Sequence, residues 1–242
     1  MHEISDLQGL AADILYEDNH LIAINKHPGD IVQGDKTGDI PLSDIVKAYI
    51  GEKYSKPGDV FLGVVHRLDR PVSGVVLFAR TSKALARMNT LMQKRDVRKI
   101  YWAVTDQPTP AEEGRARHFL AKDQEKNKSF VVSQSHLQGR EAILDYHLTA
   151  RTERYYLIEV ELHTGRHHQI RAQLAALGCP IRGDLKYGFP RSNPDGSISL
   201  HSRSMSFTHP VRPETVTIIA PPPADPLWTA IVQAVAGREG KK

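Results

Sequence analysis

Residues 66–74 read HRLDRPVSG. A single carboxylate, Asp69, stands between Arg67 and Arg70, and Pro71 and Gly74 shape the path that follows. On either side lie apolar, β-branched runs, VFLGVVH at 60–66 and VVLFAR at 75–80, whose composition predicts two buried strands joined by this loop. A carboxylate on a turn supported in this way is held at fixed geometry, and neighbouring cations favour its ionised form. Such an aspartate suits nucleophilic or base catalysis. The competing reading is a local ion pair with Arg67 or Arg70, worth about 0–1 kcal/mol where exposed.

Working outward, two short β-type runs, Ile14–Tyr16 and Leu21–Asn25, precede the loop and end at Pro28-Gly29. SDIVKAYIGEKY has helical spacing. After the loop, TSKALARMNTLMQKR predicts an amphipathic helix with Thr81 as N-cap and Leu85, Met88, Leu91 and Met92 on its apolar side. RKIYWAVTD returns to strand, and within the polar stretch 107–140, KDQEKNK reads as a solvated hairpin tip or excursion. YYLIEVEL alternates, Tyr156, Ile158, Val160 and Leu162 against Glu159 and Glu161, as a half-buried strand does. RHHQIRAQLAALG predicts a helix with Ile170, Leu174 and Leu177 as its ridge and Gly178 as its stop. PPPADPLW is expected to close the chain in an extended conformation. Strands and helices are interspersed without regular βαβ alternation or internal repeat, which predicts an α+β class with a mixed, largely antiparallel central sheet flanked by helices.

The 242 residues, 40% hydrophobic and 25% charged, are those of a globular protein, and no apolar run approaches the ~20 residues of a membrane-spanning helix. Cys179 is the only cysteine, which excludes an intramolecular disulfide and a cysteine-rich metal site. The first residues carry no basic segment followed by an apolar stretch, so a cytoplasmic location is expected. Charge is unevenly spread. Residues 1–60 hold 5 Lys/Arg against 11 Asp/Glu (−6), so with a net +4 the remainder carries +10. A basic remainder fits a polyanion-binding face, or a solvated surface of uneven charge.

Two further stretches bear on chemistry. In LHTGRHHQIRAQL, residues 162–174, Thr164-Gly165 falls where strand passes into helix, so backbone amides and the helix dipole are expected to converge with Arg166 on an anion. Arg171 lies beside the apolar ridge, where it can reach inward to a buried carboxylate. A strand-to-helix turn with two surface arginines is the plainer alternative. His163 and His167 are four apart, but the spacing lacks the glutamate of a zinc-protease helix, and no metal is expected there. In QKRDVRKIYWAV, residues 93–104, the basic Lys94, Arg95, Arg98 and Lys99 precede Tyr101 and Trp102, a pairing suited to tracking phosphates while stacking on a base. Tyr101 and Trp102 point to opposite faces of a strand, and Trp102 is assigned to the core.

These segments together resemble the RluA-type family of RNA pseudouridine synthases. HRLDRPVSGVVLFA is similar to that family's signature around its catalytic aspartate, RKIYWAV to its tyrosine motif, and LHTGRHHQIRAQLAALGCPIRGDLKYG to its arginine-containing third motif. The correspondence runs from about Ile14 to PLW.

The resemblance implies the pseudouridine synthase fold of two fused subdomains, as one catalytic domain over 1–242 with a core of about 14–228 and no separate N-terminal RNA-binding domain. It implies isomerisation of uridine to pseudouridine in structured RNA, a ribosomal or transfer RNA stem-loop, by a monomer without cofactor or metal. By resemblance Asp69 is the catalytic aspartate, Tyr101 lies against the uracil, and Arg171 pairs with Asp69. The family's aspartate attacks sugar or ring, or removes a sugar proton. Arg67 helps rearrange the RNA, Leu174 helps wall the pocket, and Arg70, Arg95, Arg98, Lys99 and Arg166 are the expected RNA contacts. Val72 departs from the threonine of many relatives. A catalytically silent RNA-binding protein on the same fold is the principal rival, and a hydrolase of phosphate esters a more distant one.

Overall fold

A computed structural model describes residues 1–3, 6–35 and 37–239. The chain divides into two compact units, one of residues 1–97 with 202–221, the other of residues 98–201 with the segment from Pro222 on.

The first unit begins with a short helix α1 (Leu7–Ala12), capped where Asp6 Oδ1 accepts from the Gly9 N–H at 2.7 Å. Strands β1 (Ile14–Glu17) and β2 (Leu21–Lys26) follow, then α2 (Leu42–Lys53), β3 (Gly63–Val64), β4 (Ser73–Ala79) and α3 (Ser82–Lys94). The expected N-cap of α3 is present, Thr81 Oγ1 accepting from the Ala84 N–H at 3.1 Å. β2 lies between β1 and β4 and pairs antiparallel with both. Both faces of these strands are covered, which explains their unbroken apolar runs. Ile22, Ile24, Val76 and Phe78 pack with Leu42, Ile45, Val46 and Ile50 of α2, while Leu21, Ala23, Val75 and Leu77 pack with Ala84 and Met88 of α3.

The second unit continues with β5 (Val97–Thr105), β6 (Glu113–Asp123), β7 (Lys128–Val132), β8 (Arg140–Arg151), β9 (Tyr156–Leu162) and α4 (Gln169–Ala176). Its strand order is β5-β9-β8-β6-β7, antiparallel at every step. The expected hairpin tip sits between β6 and β7, where Asn127 takes φ +44°. The chain then returns to the first unit as β10 (Leu200–Thr208) and β11 (Thr215–Ile219), β10 lying beside β4 and pairing antiparallel with β11. The final element, α5 (Pro226–Glu239), rejoins the second unit and packs on β8. The architecture is α+β with largely antiparallel sheet, as the interspersed pattern predicts. Among the described residues no helix is long and apolar enough to cross a membrane.

Three local expectations are corrected. The tail is extended only up to Asp225. From Pro226 it is helical, because Asp225 accepts the Trp228 N–H at 2.9 Å and Pro226 stands in the first turn, where its missing donor costs nothing. Trp228 and Ile231 then pack with Trp102, Val104 and Leu157, so Trp102 is a core residue as expected. VFLGVVH forms only the two-residue β3, since the His66 side chain takes over the Leu77 N–H (Nε2, 3.2 Å) and the backbone leaves the ladder. Helix α4 starts at Gln169 instead of Arg166, because His168 adopts the left-handed conformation (φ 52°, ψ 27°). Its end is as expected: Gly178 takes φ +83°, with Cys179 N–H bonded to Leu174 O (3.0 Å) and Gly178 N–H to Ala175 O (3.1 Å).

Candidate active site

The aspartate loop of the first unit hangs from the end of β2. Lys26, at the last position of that strand, is fully buried, and its Nζ donates to three carbonyls: His27 (2.8 Å), Arg70 (3.0 Å) and Val72 (2.7 Å). Gly29 N–H donates to the same Arg70 carbonyl at 2.9 Å, and Val72 N–H closes the turn onto Asp69 O at 3.0 Å. The backbone that follows Asp69 is therefore tied to one ammonium. Burial pushes Lys26 down to about 8, while the charges of Asp30 and Asp69 oppose that fall. The loop ends at Gly74, whose φ of +109° suits glycine, and a Cβ there would come within 2.3 Å of the Ser202 carbonyl oxygen in β10.

Around this loop, Asp69 is half-buried and Arg67 exposed. Arg70 turns its guanidinium to Asp39 (2.5 Å) and Thr37 (2.9 Å). Its cation thus meets the acidic segment ahead of α2.

In the second unit, β5 carries Tyr101 and Trp102, both buried and opposite Val160 and Glu159 of β9. Arg98, near the start of that strand, grips Glu161 through Nε (3.0 Å) and Nη2 (2.9 Å), and Lys99 is half-buried; Arg95, in the first unit, is exposed at the left-handed C-cap of α3. Arg166 is exposed and donates from Nε to Glu141 O at 2.9 Å. The anion nest expected at Thr164–Gly165 is corrected here. Gln169 Oε1 accepts from the Arg166 N–H (3.0 Å) and from Thr164 Oγ1 (2.7 Å), and the Thr164 N–H bonds Ile143 O (3.3 Å), so those two amides serve the turn itself.

Arg171 is buried on α4, one turn from the fully buried Leu174. Two of its donors grip Asp184, Nε to Oδ2 at 2.6 Å and Nη2 to Oδ1 at 2.8 Å, and its guanidinium lies 5.1 Å from the Tyr187 ring centroid. Tyr187 is itself fixed: its hydroxyl contacts His168 Nδ1 at 3.0 Å and accepts the Ser129 N–H at 2.9 Å. Burial, with Arg171's charge adding to it, pushes His168 down to about 2, so the ring is neutral at physiological pH. His163 Nε2 meets Asp145 at 2.8 Å, whereas His167 Nδ1 meets Ser129 at 3.0 Å and its ring stacks on His168.

Lys26, Asp184, Tyr187 and Gln169 were not singled out from sequence. A lysine closing the run LIAINK carries no mark of burial, and Asp184 is thirteen residues from its arginine. Its only signal is a carboxylate in a glycine-flanked turn, RGDLKYG.

Comparison with known proteins fixes the class. The family model described as RNA pseudouridylate synthase matches residues 20–176. The chain belongs to this family, and is thus an isomerase that modifies RNA. A ribosomal large subunit pseudouridine synthase D from Xylella fastidiosa is 33% identical over 231 residues, covering 90% of this chain and 68% of the relative. An uncharacterised RNA pseudouridine synthase from Synechocystis is 32% identical over 221 residues, covering 90% and 67%. Among solved structures, human RNA pseudouridylate synthase domain containing 4 superposes with a TM-score of 0.79 over 96% of each chain at 22% identity, a likeness of fold.

Proposed function

We propose that the protein converts uridine to pseudouridine in a structured RNA, with Asp69 as its catalytic carboxylate. The reaction breaks the bond from uracil N1 to the ribose C1′ and joins C1′ to C5, and the C5 proton is lost as N1 gains one. No redox partner or energy source enters this balance. Tyr101 is assigned to the uracil ring and Arg171 to the aspartate's negative charge, on the strength of their motifs. Arg67, next to the loop and exposed, is assigned to the RNA as the target nucleotide leaves its stack, a step that costs a few kcal/mol.

The observation that supports this reading best is the Lys26 tether. It holds the Arg70 and Val72 carbonyls, and so fixes the loop just after Asp69, as a site needing a carboxylate at fixed geometry requires. The names of several relatives point to large-subunit ribosomal RNA as the first substrate to try, with transfer RNA second. The test is tritium release from RNA transcribed with [5-³H]uridine. Wild-type protein releases tritium from one of the two RNAs, and a folded Asp69→Asn variant that still binds RNA releases none. Wild-type turnover by Asp69→Asn would end the proposal.

A further inference from the structure

The first unit carries a second constellation, apart from the aspartate loop. His2, Asp13 and His27 bring one donor atom each to within 4.8 Å of one another. One carboxylate oxygen, Asp13 Oδ2, faces both imidazoles, 3.0 Å from His2 Nε2 and 2.9 Å from His27 Nε2. We propose that these three side chains form a site for a first-row transition-metal dication of the zinc type.

Four features support a metal over a simple ion-pair cluster. First, a tetrahedral site with bonds of about 2.0–2.1 Å separates neighbouring donors by about 3.3–3.4 Å, so the two Asp13 contacts need to open by only about 0.4 Å. Second, the outer shell is in place. His2 Nδ1 lies 2.6 Å from Oδ2 of Asp30, a carboxylate that is itself buried, so Nε2 is left to face the cluster. A ligating histidine bound through its second nitrogen to a carboxylate is the usual arrangement around zinc. Asp30 also accepts the backbone N–H groups of His2 (2.8 Å) and His27 (3.1 Å), which orients both ligands from one point.

Third, the two imidazoles stack with centroids 4.4 Å apart, so that both Nε2 atoms are presented to the same carboxylate oxygen. Fourth, there is an entry path, because the His27 side chain is 44% exposed while that of His2 is 3% exposed. Two nitrogens and one oxygen favour zinc, cobalt or nickel over magnesium and calcium, which prefer oxygen donors throughout. Three protein ligands leave a fourth position for water.

The site joins the N-terminal segment, the α1–β1 junction and the turn after β2. That turn includes Gly29, whose N–H binds the Arg70 carbonyl. The metal is therefore a staple beneath the support of the aspartate loop, independent of the chemical step.

The test uses the tag-free full chain, stripped with a chelator and titrated with Co²⁺ as a spectroscopic probe and with Zn²⁺ by calorimetry. Expected are saturation at one equivalent, visible d–d absorption of four-coordinate cobalt, displacement of cobalt by zinc and a higher Tm with zinc but not with magnesium. His27→Ala and Asp13→Asn should each weaken affinity at least tenfold, and Asp30→Asn about 10–100-fold. His163→Ala, a control for other histidines, should change nothing. Circular dichroism confirms the fold of each variant, and His27→Gln replaces His27→Ala if needed. Absence of saturable one-to-one binding, or binding that survives in folded His27 and Asp13 variants, overturns the proposal and leaves the cluster as ion pairs alone.

Discussion

Arg171 is clasped by Asp184 through two parallel hydrogen bonds of 2.6 and 2.8 Å, and both side chains are almost wholly buried. The third motif's arginine therefore has a fixed anionic partner within its own unit. A planar guanidinium held at two corners keeps its orientation, which a lysine at this place does not. Removing one charge from such a pair leaves the other uncompensated in a poor solvent. Asp184→Ala is expected to lower stability by about 3–5 kcal/mol in urea unfolding. Arg171→Lys should cost less stability than that and still lose most tritium release. Equal stability of Asp184→Ala and wild type would contradict the geometry.

Lys26 makes a parallel case in the first unit. Its ammonium binds three carbonyls, two of which lie just after Asp69 in the loop. Lys26→Met keeps the stem's bulk and removes a donor from each carbonyl; Arg70 O keeps the Gly29 N–H and His27 O the Asp30 N–H, while Val72 O loses the Lys26 bond, at about 1–3 kcal/mol where water cannot reach it. Release of the buried charge offsets part of the total, so a net loss of about 1–2 kcal/mol is expected. Turnover should fall even at temperatures where the variant is fully folded, because the loop loses its anchor. A folded variant with unchanged turnover would separate the tether from catalysis.

Elements that rest on local pattern were legible in the sequence. The two-faced strands β2 and β4, the Thr81 cap of α3 and the Gly178 stop of α4 all follow from residue type and spacing. Asp69, Tyr101 and Arg171 stand out in the sequence by the motifs that hold them. What escaped depended on side chains replacing backbone. His66 stands in for a strand at Leu77, and Gln169 fills the turn where an anion was expected. Distant partners escaped as well, since nothing local links Lys26 to Arg70 or Arg171 to Asp184. The helical tail was different: Asp225-Pro226 is a recognisable helix start, overlooked beside three consecutive prolines.

Gly74 tests how closely β4 approaches β10. Gly74→Ala places a methyl within 2.3 Å of a backbone oxygen in a left-handed conformation, and neither atom belongs to a flexible side chain. Steric and conformational terms add, and a loss of more than about 3 kcal/mol or failure to fold is expected. Gly165→Ala is the control, for nothing lies within 4 Å of its added carbon. It should stay within about 0.5 kcal/mol of wild type. Similar chemical-denaturation midpoints for the two variants would refute the close approach.

The basic stretch before Tyr101 is read through salt. Arg95 is exposed, and Arg98 holds Glu161 in a pair whose own stability contribution is small because both groups meet solvent. Such an arginine can exchange its carboxylate for a phosphate at little cost. Arg95→Ala with Arg98→Ala should weaken RNA binding and reduce the salt slope of log K by about 1 per lost phosphate contact. An unchanged slope in filter binding between low and physiological salt would return both residues to the plain surface.

His168 supplies a pH signature of the fold. Its folded pKa of about 2 lies far below the ordinary 6.5, with burial the largest cause and Arg171 the next. Above pH 6.5 the ring is neutral in folded and unfolded chains alike, and contributes nothing to pH dependence. Below 6.5 the unfolded chain takes up a proton that the folded one refuses, so stability falls by about 1.4 kcal/mol per pH unit from this group. At pH 4.5 the deficit is about 2.7 kcal/mol by the same linkage. His168→Asn removes the titration, and asparagine tolerates the left-handed backbone found here. Unfolding free energies of wild type and variant, measured from pH 7.5 to 4.5, should converge on acidification by about that amount. Parallel curves would mean that the folded protein protonates His168, and that its burial against Tyr187 is looser than the structure shows.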